Sequence, residues 1–443
     1  MTKPVDKPNI LWIFSDQHRP HAISCYGDKN IRTPNMDRLA EEGIRFNCAY
    51  SNTPICSPFR ASLYTGKYIT SHGVVSLHVP PNPGQRMLAQ ELQDYGYHTS
   101  HMGKWHISGG AAPSHFVSPY FRPGWNDWLG FECSNRPWET MYSTGTAPTP
   151  HKTMKGFQTD VLTDFTVDWI HSRAGNPTPW FHVVSIEPPH PPHTAPEPYM
   201  EMFRDRELTL RPNVPLDHPE LEQWKDYLRA YYAQIANLDH NIGRMLNALE
   251  ETGQLDNTIL FYFADHGDMM GSHGKRGKTQ PEVESSQIPL LIRYPKQIPA
   301  GQVSDGLISG VDLMPTLLGL IGAPIPSYVE GSDLSETVRG LQAEGAKSVV
   351  LQFEKNFWAE DPVKTFRTLV EAEWFYTVYL LKGPTQLFHM KEDPYQMNNL
   401  IDDPAYAEVK ARMDAALRER LSELGDDFFL RLQALEAREA EVR

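Results

Sequence analysis

The sequence predicts an α/β fold: an α/β/α sandwich on a mostly parallel mixed sheet, followed by a small C-terminal α+β subdomain with an antiparallel sheet. Three observations predict it. Ile10–Phe14, Trp180–Ile186 and Asn257–Phe263 are continuous apolar runs separated by helical patterns, as strands buried on both faces are. Each run ends abruptly in polar residues, and sites in open α/β sheets form beyond the carboxyl ends of strands. Past residue 355 the texture changes to short strand-like pieces separated by turns, which read as a small antiparallel sheet. The chain is therefore divided into a main domain over 1–355 and a subdomain over 356–443.

Ile10–Phe14 runs straight into Ser15-Asp16-Gln17-His18. Thr33 to Gly43 has the marks of a compact helix: a threonine cap, Pro34 in the first turn and a glycine stop. Cys56-Ser-Pro-Phe-Arg60 leads into a helix that ends near Gly66. A helix is expected over about 85–95 and a short strand over 96–100, leading to Gly103-Lys104-Trp105-His106. Residues 107–155, rich in Pro, Gly and aromatics, read as long connections around a pocket rather than a regular layer. A helix is expected over about 157–172. The second apolar run delivers Glu187-Pro-Pro-His190-Pro-Pro-His193. Asp217 and Glu220 have capping-box spacing and are expected to open the longest helix, to about Glu251. The third run delivers Asp265-His266-Gly267-Asp268. Further strands are expected over 287–293 and 349–353, with a helix over 311–320. The amphipathic tail 428–443 is expected to pack on its own chain, with a partner subunit of a homo-oligomer as the alternative.

With 55 acidic residues against 41 Lys and Arg, the formal charge is −14. No Lys/Arg block or basic aromatic stripe is present, which excludes a nucleic-acid surface. Four cysteines in so long a chain make no disulfide framework, and no CxxC pair exists for zinc or redox work. The apolar segment near the N-terminus is too short for a secretory leader, and no run approaches membrane-spanning length. A cytoplasmic protein without membrane partners is expected.

Asp16, Gln17, Asp265 and His266 offer carboxylate oxygens, an amide oxygen and an imidazole. That set suits Ca²⁺, Mg²⁺ or Mn²⁺ better than zinc. Taken singly, Asp16 is equally a helix cap and His266 equally a backbone hydrogen-bond donor. Arg60, Lys104 and Lys278 are cations far apart in an acidic chain; with a metal they suit a tetrahedral oxyanion, sulfate or phosphate. His106 and His190 are the candidate proton carriers, because imidazole works near neutral pH. Cys56 alone reads either as a buried core thiol or as a nucleophile favoured by the nearby guanidinium.

Cys56-Ser-Pro-Phe-Arg60 with Ala61-Ser-Leu-Tyr-Thr-Gly66 resembles the signature of the type I sulfatases of the alkaline phosphatase superfamily. The resemblance extends through Asp16-Gln17, Thr33 to Asp37, Gly103 to His106, Pro189-His190, Asp265 to Gly267, Gly277-Lys278 and Leu387 to Pro394, covering almost the whole chain in order. It implies hydrolysis of a sulfate monoester. Cys56, converted by a formylglycine-generating enzyme, would become formylglycine, whose hydrate attacks sulfur and then eliminates sulfate. Asp16, Gln17, Asp265, His266 and the Cys56 position would hold one divalent cation, Ca²⁺ first, with Mn²⁺ or Mg²⁺ as alternatives. Arg60 would orient the hydrate, Lys104 and Lys278 would hold the sulfate oxygens, His190 with Lys278 would assist the leaving alcohol, and His106 would take a proton to expel sulfate. The Asp16-Gln17 and Asp265-His266 pairs also occur in relatives resembling phosphonate monoester hydrolases and phosphodiesterases, which is the alternative reading. Trp105, Glu187, His193, Lys355 and Arg367 are candidate substrate contacts, and the organic half of a small sulfated substrate is left open.

Overall fold

The computed structural model describes residues 7–110, 115–354 and 364–442. Eight strands form the main sheet: β1 (Asn9–Ser15), β2 (Ile44–Phe46), β3 (His98–Lys104), β4 (Asp127–Phe131), β5 (Trp180–Ile186), β6 (Thr258–Ala264), β7 (Leu290–Arg293) and β8 (Gln302–Ser304). Their order is β8-β2-β7-β6-β1-β5-β3-β4. Each pairing is parallel except those of β7, which runs against β6 and β2. The mixed, mostly parallel sheet follows from apolar runs that are buried along their whole length.

Side chains of β1 alternate between two cores. Ile10, Trp12 and Phe14 pack with Phe59 and Leu63 of α1 (Cys56–Thr65) and with Met314 and Leu317 of the helix Leu313–Ile321. Leu11 and Ile13 face the other layer, with Leu162 of α2 (Gln158–Ser172) and Leu238, Ile242 and Leu246 of α3 (Leu221–Glu251). The period of two on the strand thus feeds both faces of the sandwich.

The registers bring three strand ends level: Ser15 stands opposite both Ile186 and Ala264. The next residues, Asp16, Glu187 and Asp265, therefore start side by side, with Asp16 N donating to Ile186 O and Asp265 N to Ser15 O. The third strand runs on to Lys104 instead of stopping near residue 100. Gly103 allows this: its φ is +111°, and a Cβ there would lie 2.0 Å from Ser185 O.

Other elements differ from the sequence reading. Asp127–Phe131 is a full edge strand of the main sheet, so the 107–155 stretch is not connection alone. The long helix starts at Leu221; the Glu220 carboxylate accepts from the Trp224 indole rather than closing a capping box. Val349–Phe353 pairs antiparallel with Phe366–Val370, followed by Trp374–Tyr379 and Gly383–His389. The four-stranded C-terminal sheet therefore begins before residue 355, with its first strand inside the stretch read as main domain. Helices Ala407–Glu423 and Phe428–Val442 cover this sheet through Met413, Leu417, Phe428 and Leu432, so the tail packs on its own chain. No helix among the described residues is long and apolar enough to cross a membrane.

Candidate active site

Cys56 is the first residue of α1, with Ile55 as the extended residue before it. Arg60 lies one turn on, at the i+4 spacing that puts both on one helix face. The helix end thus carries nucleophile position and guanidinium together beneath the edge where β1, β5 and β6 stop.

Arg60 is fully buried and divides its donors precisely by atom. Its Nε and Nη2 lie 3.1 Å from Asp265 Oδ2, Nη2 is 3.2 Å from Asp16 Oδ2, and Nη1 donates to Lys104 O and Ser185 Oγ. Lys104 Nζ takes the same Asp16 Oδ2 at 2.7 Å. The outer oxygen of each carboxylate is therefore held by cations, while the two Oδ1 atoms face inward, Asp265 Oδ1 also accepting from Gln17 N at 3.0 Å and Asp16 Oδ1 lying 3.8 Å from Lys278 Nζ. There they meet His266 Nε2, 3.6 Å from Asp16 Oδ1 and 3.4 Å from Asp265 Oδ1, and Cys56 Sγ, 3.3 Å from the same imidazole nitrogen. These four ligand atoms all lie within 4.8 Å of one another.

The donor set fits a divalent cation. His266 Nδ1 is placed to donate to Gly267 O, which leaves the Nε2 lone pair inside the cluster. Gln17, with φ of +64°, gives its Nε2 to Asp268, leaving Oε1 buried without a hydrogen-bond partner among the described residues. A buried amide oxygen of that kind is costly unless something electropositive meets it.

Electrostatics fixes the charge of each group. Burial would raise the Asp16 carboxyl, but Lys104, Lys278 and Arg60 hold it well below the usual range. Burial opposes the charge on Lys104 and Lys278, yet Asp16 and Glu187 keep the first an ammonium, and Asp16 and Asp265 the second. Burial and the Asp16 carboxylate push the Cys56 thiol up to about 11 against the pull of both lysines. The cysteine as encoded is thus a protonated thiol at neutral pH, a poor nucleophile. Lys278 Nζ stands 2.9 Å from its sulfur. Burial and the adjacent lysines lower His106 and His190, so both imidazoles are neutral. His106, at φ +61°, keeps both ring nitrogens free of partners among the described residues; His190 directs Nδ1 at Pro191 O.

Asp16, Gln17, Cys56, Arg60, Lys104, His106, His190, Asp265, His266 and Lys278 are thus linked through one contact and charge network. The substrate candidates are placed differently. Glu187 is buried behind Lys104, 3.2 Å from its Nζ, and its oxygens also accept from Ser134 N, Asn135 N and Gln158 Nε2. It anchors the lysine and leaves no free oxygen for a cationic substrate. Trp105 is core, stacked on Tyr64 at 4.9 Å. Arg367 is buried in the C-terminal subdomain, paired with Asp426 and Glu354. His193 is half-buried, its Nδ1 3.1 Å from Gln234 Oε1. Lys355 lies outside the described residues. Sequence reasoning missed Gln158, which brackets Glu187 by also accepting from its backbone N, and gave no role to Asp268, which holds Gln17 and Gly277 N. Asp268 was visible in the Asp265–Asp268 cluster; Gln158 carried no local signal.

A nucleophile position on a helix N-terminus, a carboxylate-imidazole cation cluster and two ammonium groups beside them define a hydrolase for esters of a tetrahedral oxyanion. A family model described as Sulfatase matches residues 8–323, and one described as N-sulphoglucosamine sulphohydrolase, C-terminal, matches 271–423. The chain is 34% identical to an ulvan-active sulfatase of Formosa agariphila over 95% of this chain and 82% of that protein. The yidJ structure from Bacteroides fragilis superposes with a TM-score of 0.89 at 28% identity, covering 98% of this chain and 99% of that one. A structure in complex with its substrate D-glucosamine-2-N,6-O-disulfate gives 0.85 at 25% identity, covering 95% and 99%. The chain belongs to the formylglycine-dependent sulfatase family of the alkaline phosphatase superfamily. It hydrolyses sulfate esters through the formylglycine and metal site typical of that family.

Proposed function

We propose that the substrate is a sulfated saccharide and that the resident cation is Ca²⁺. The observation that carries the saccharide reading is Trp138. Its ring is 44% exposed, backed by Phe157 at 5.1 Å and tethered through its indole N–H to Thr194 Oγ1, beside His193. The loop bearing it is tied through Ser134 and Asn135 to Glu187 and so to Lys104. A fixed aromatic face at the rim of a polar site suits the apolar face of a sugar ring. Ulvan and a glucosamine disulfate, named for two relatives, support the same class. The oxygen-rich ligand set supports calcium.

Asp16, Gln17, Asp265 and His266 would hold the cation, which would supply charge stabilisation for the sulfate group. Formylglycine, were Cys56 converted by a generating enzyme, would supply a geminal pair of hydroxyls, one nucleophilic toward sulfur and one whose deprotonation would let sulfate leave. Arg60 keeps the two carboxylates aligned and orients the helix end. Lys104 and Lys278, both ammonium, neutralise the sulfate oxygens. Lys278 carries the proton the departing alcohol needs, with neutral His190 beside it. His106, neutral and with both nitrogens open, is the base for sulfate release.

The test pairs intact-peptide mass at Cys56 with turnover of N-acetylglucosamine-6-sulfate, 4-nitrophenyl sulfate and a phenyl phosphonate monoester. The expected order of kcat/KM is sugar sulfate, aryl sulfate, phosphonate, with C56A inactive but folded. A phosphonate turned over better than both sulfates would replace this reading with that of a phosphonate or phosphodiester hydrolase.

A further inference from the structure

Lys275 and Lys278 in the Gly274–Thr279 loop have defined partners: Lys275 pairs with Glu282, and Lys278 meets Cys56. Arg276, between them, is exposed and has no carboxylate within ion-pair distance among the described residues. Its guanidinium is nevertheless placed, with Cζ 3.9 Å from the centroid of the Tyr227 ring. A cation laid on an aromatic face keeps its N–H edge available while losing the freedom of a solvated arginine.

The backbone around it is equally held. Gly277 N donates to Asp268 Oδ1, Met269 N to Gly277 O and Gly271 N to Lys275 O. Asp268 is also the acceptor for Gln17, so Arg276 is braced against the ligand shell of the cation. Two residues of chain span at most about 7 Å, which keeps the Arg276 backbone close to that of Lys278. The Tyr227 ring is itself 6.1 Å from the ring of His193, and His193 feels the positive charge of Arg276. Arg276 therefore stands at the rim on the Lys278 and His193 side, a fork-shaped donor with no carboxylate partner among the described residues, in a protein of net charge −14.

We propose that Arg276, seated on Tyr227 beside His193, forms a second anion-binding subsite, and that the preferred substrate bears a second anionic group, sulfo or carboxylate, next to the ester that is cleaved. The guanidinium edge matches either group with paired N–H donors. This rests on the sulfated-saccharide reading for the identity of the scaffold, but not for the charge requirement.

The experiment compares wild type, R276A and R276K on N-acetylglucosamine-6-sulfate, with one anionic group, and glucosamine-2-N,6-O-disulfate, with two. Wild type should prefer the disulfate. R276A should lose about ten- to a hundredfold in kcat/KM on the disulfate, chiefly through KM, and no more than about twofold on the monosulfate. R276K should recover part of the difference, and added salt should shrink it. Equal losses on both sugars, or no loss on either, would overturn the subsite. If wild type cleaves neither sugar, the saccharide reading fails by itself. The subsite is then decided by 4-nitrophenyl sulfate against a carboxylated aryl sulfate: an Arg276-dependent preference for the carboxylated ester sustains it, and its absence overturns it.

Discussion

Removing the Arg60 guanidinium should weaken the fold and strengthen cation binding at once. Arg60 is fully buried, and its donors satisfy Asp16 Oδ2, Asp265 Oδ2, Ser185 Oγ and Lys104 O. In R60A the carboxylates lose that counter-charge, although Lys104 still holds Asp16 at 2.7 Å. Breaking such a buried pair costs about 3–5 kcal/mol. At about 2.1 cal/mol/K of unfolding entropy per residue, 443 residues give roughly 0.9 kcal/mol/K, so the melting temperature should fall by about 3–5 °C. The inward Oδ1 atoms meanwhile gain electron density because the competing cation has gone. Saturating Ca²⁺ should therefore raise the melting temperature of R60A more than that of wild type. Calorimetry in chelator and again in calcium reads both effects. An R60A protein that melts within 1 °C of wild type in chelator, or that gains no more from calcium, would refute the division of oxygens between guanidinium and cation.

Two further predictions concern groups outside the reacting cluster. Glu132 is buried against Ser108, two residues past His106, and burial pushes its carboxyl from 4.5 up to about 7. Because the folded value lies above the unfolded one, its contribution is complete below about pH 4.5 and lost as pH rises through about 7, a swing of about 3 kcal/mol. The wild-type melting temperature should therefore fall more steeply than that of E132Q between pH 5 and 7.5, and parallel slopes would reject the assignment. R367A should melt about 3–5 °C lower, since the side chain also donates to Asp426, Glu354 and the carbonyls of Phe353 and Phe366; a higher KM with an unchanged melting temperature would instead return Arg367 to substrate contact.

What was legible in the sequence was what local order encodes. Apolar runs ending in Asp16, Glu187 and Asp265 predicted both the sheet and the edge where chemistry collects, because parallel strands in register must end together. What a polar residue does at that edge was not legible, since it depends on which donors arrive from elsewhere. Glu187 looked open from its position after a strand, yet Ser134, Asn135, Gln158 and Lys104 consume its oxygens. The start of the C-terminal sheet was misplaced for a related reason: Val349–Phe353 has the apolar texture of a main-sheet strand, and only its antiparallel partner Phe366–Val370 assigns it to the other sheet.

The same contrast explains why Cys56 and Arg276 differ in legibility. Cys56 and Arg60 are one helical turn apart, so their joint role is written in five residues. Arg276 acquires meaning from Tyr227, on a different element, and from the lack of an acid beside it among the described residues, neither of which is a property of Gly274–Thr279. Reaction chemistry requires several groups fixed relative to a helix end and aligned strand ends, and such spacing leaves a local trace. Substrate selectivity requires only that a side chain from any element reach the rim. Positions that choose among sulfate esters are therefore to be sought among exposed side chains held in place by neighbouring elements, such as Arg276 and Trp138, not among the motif residues that cleave them.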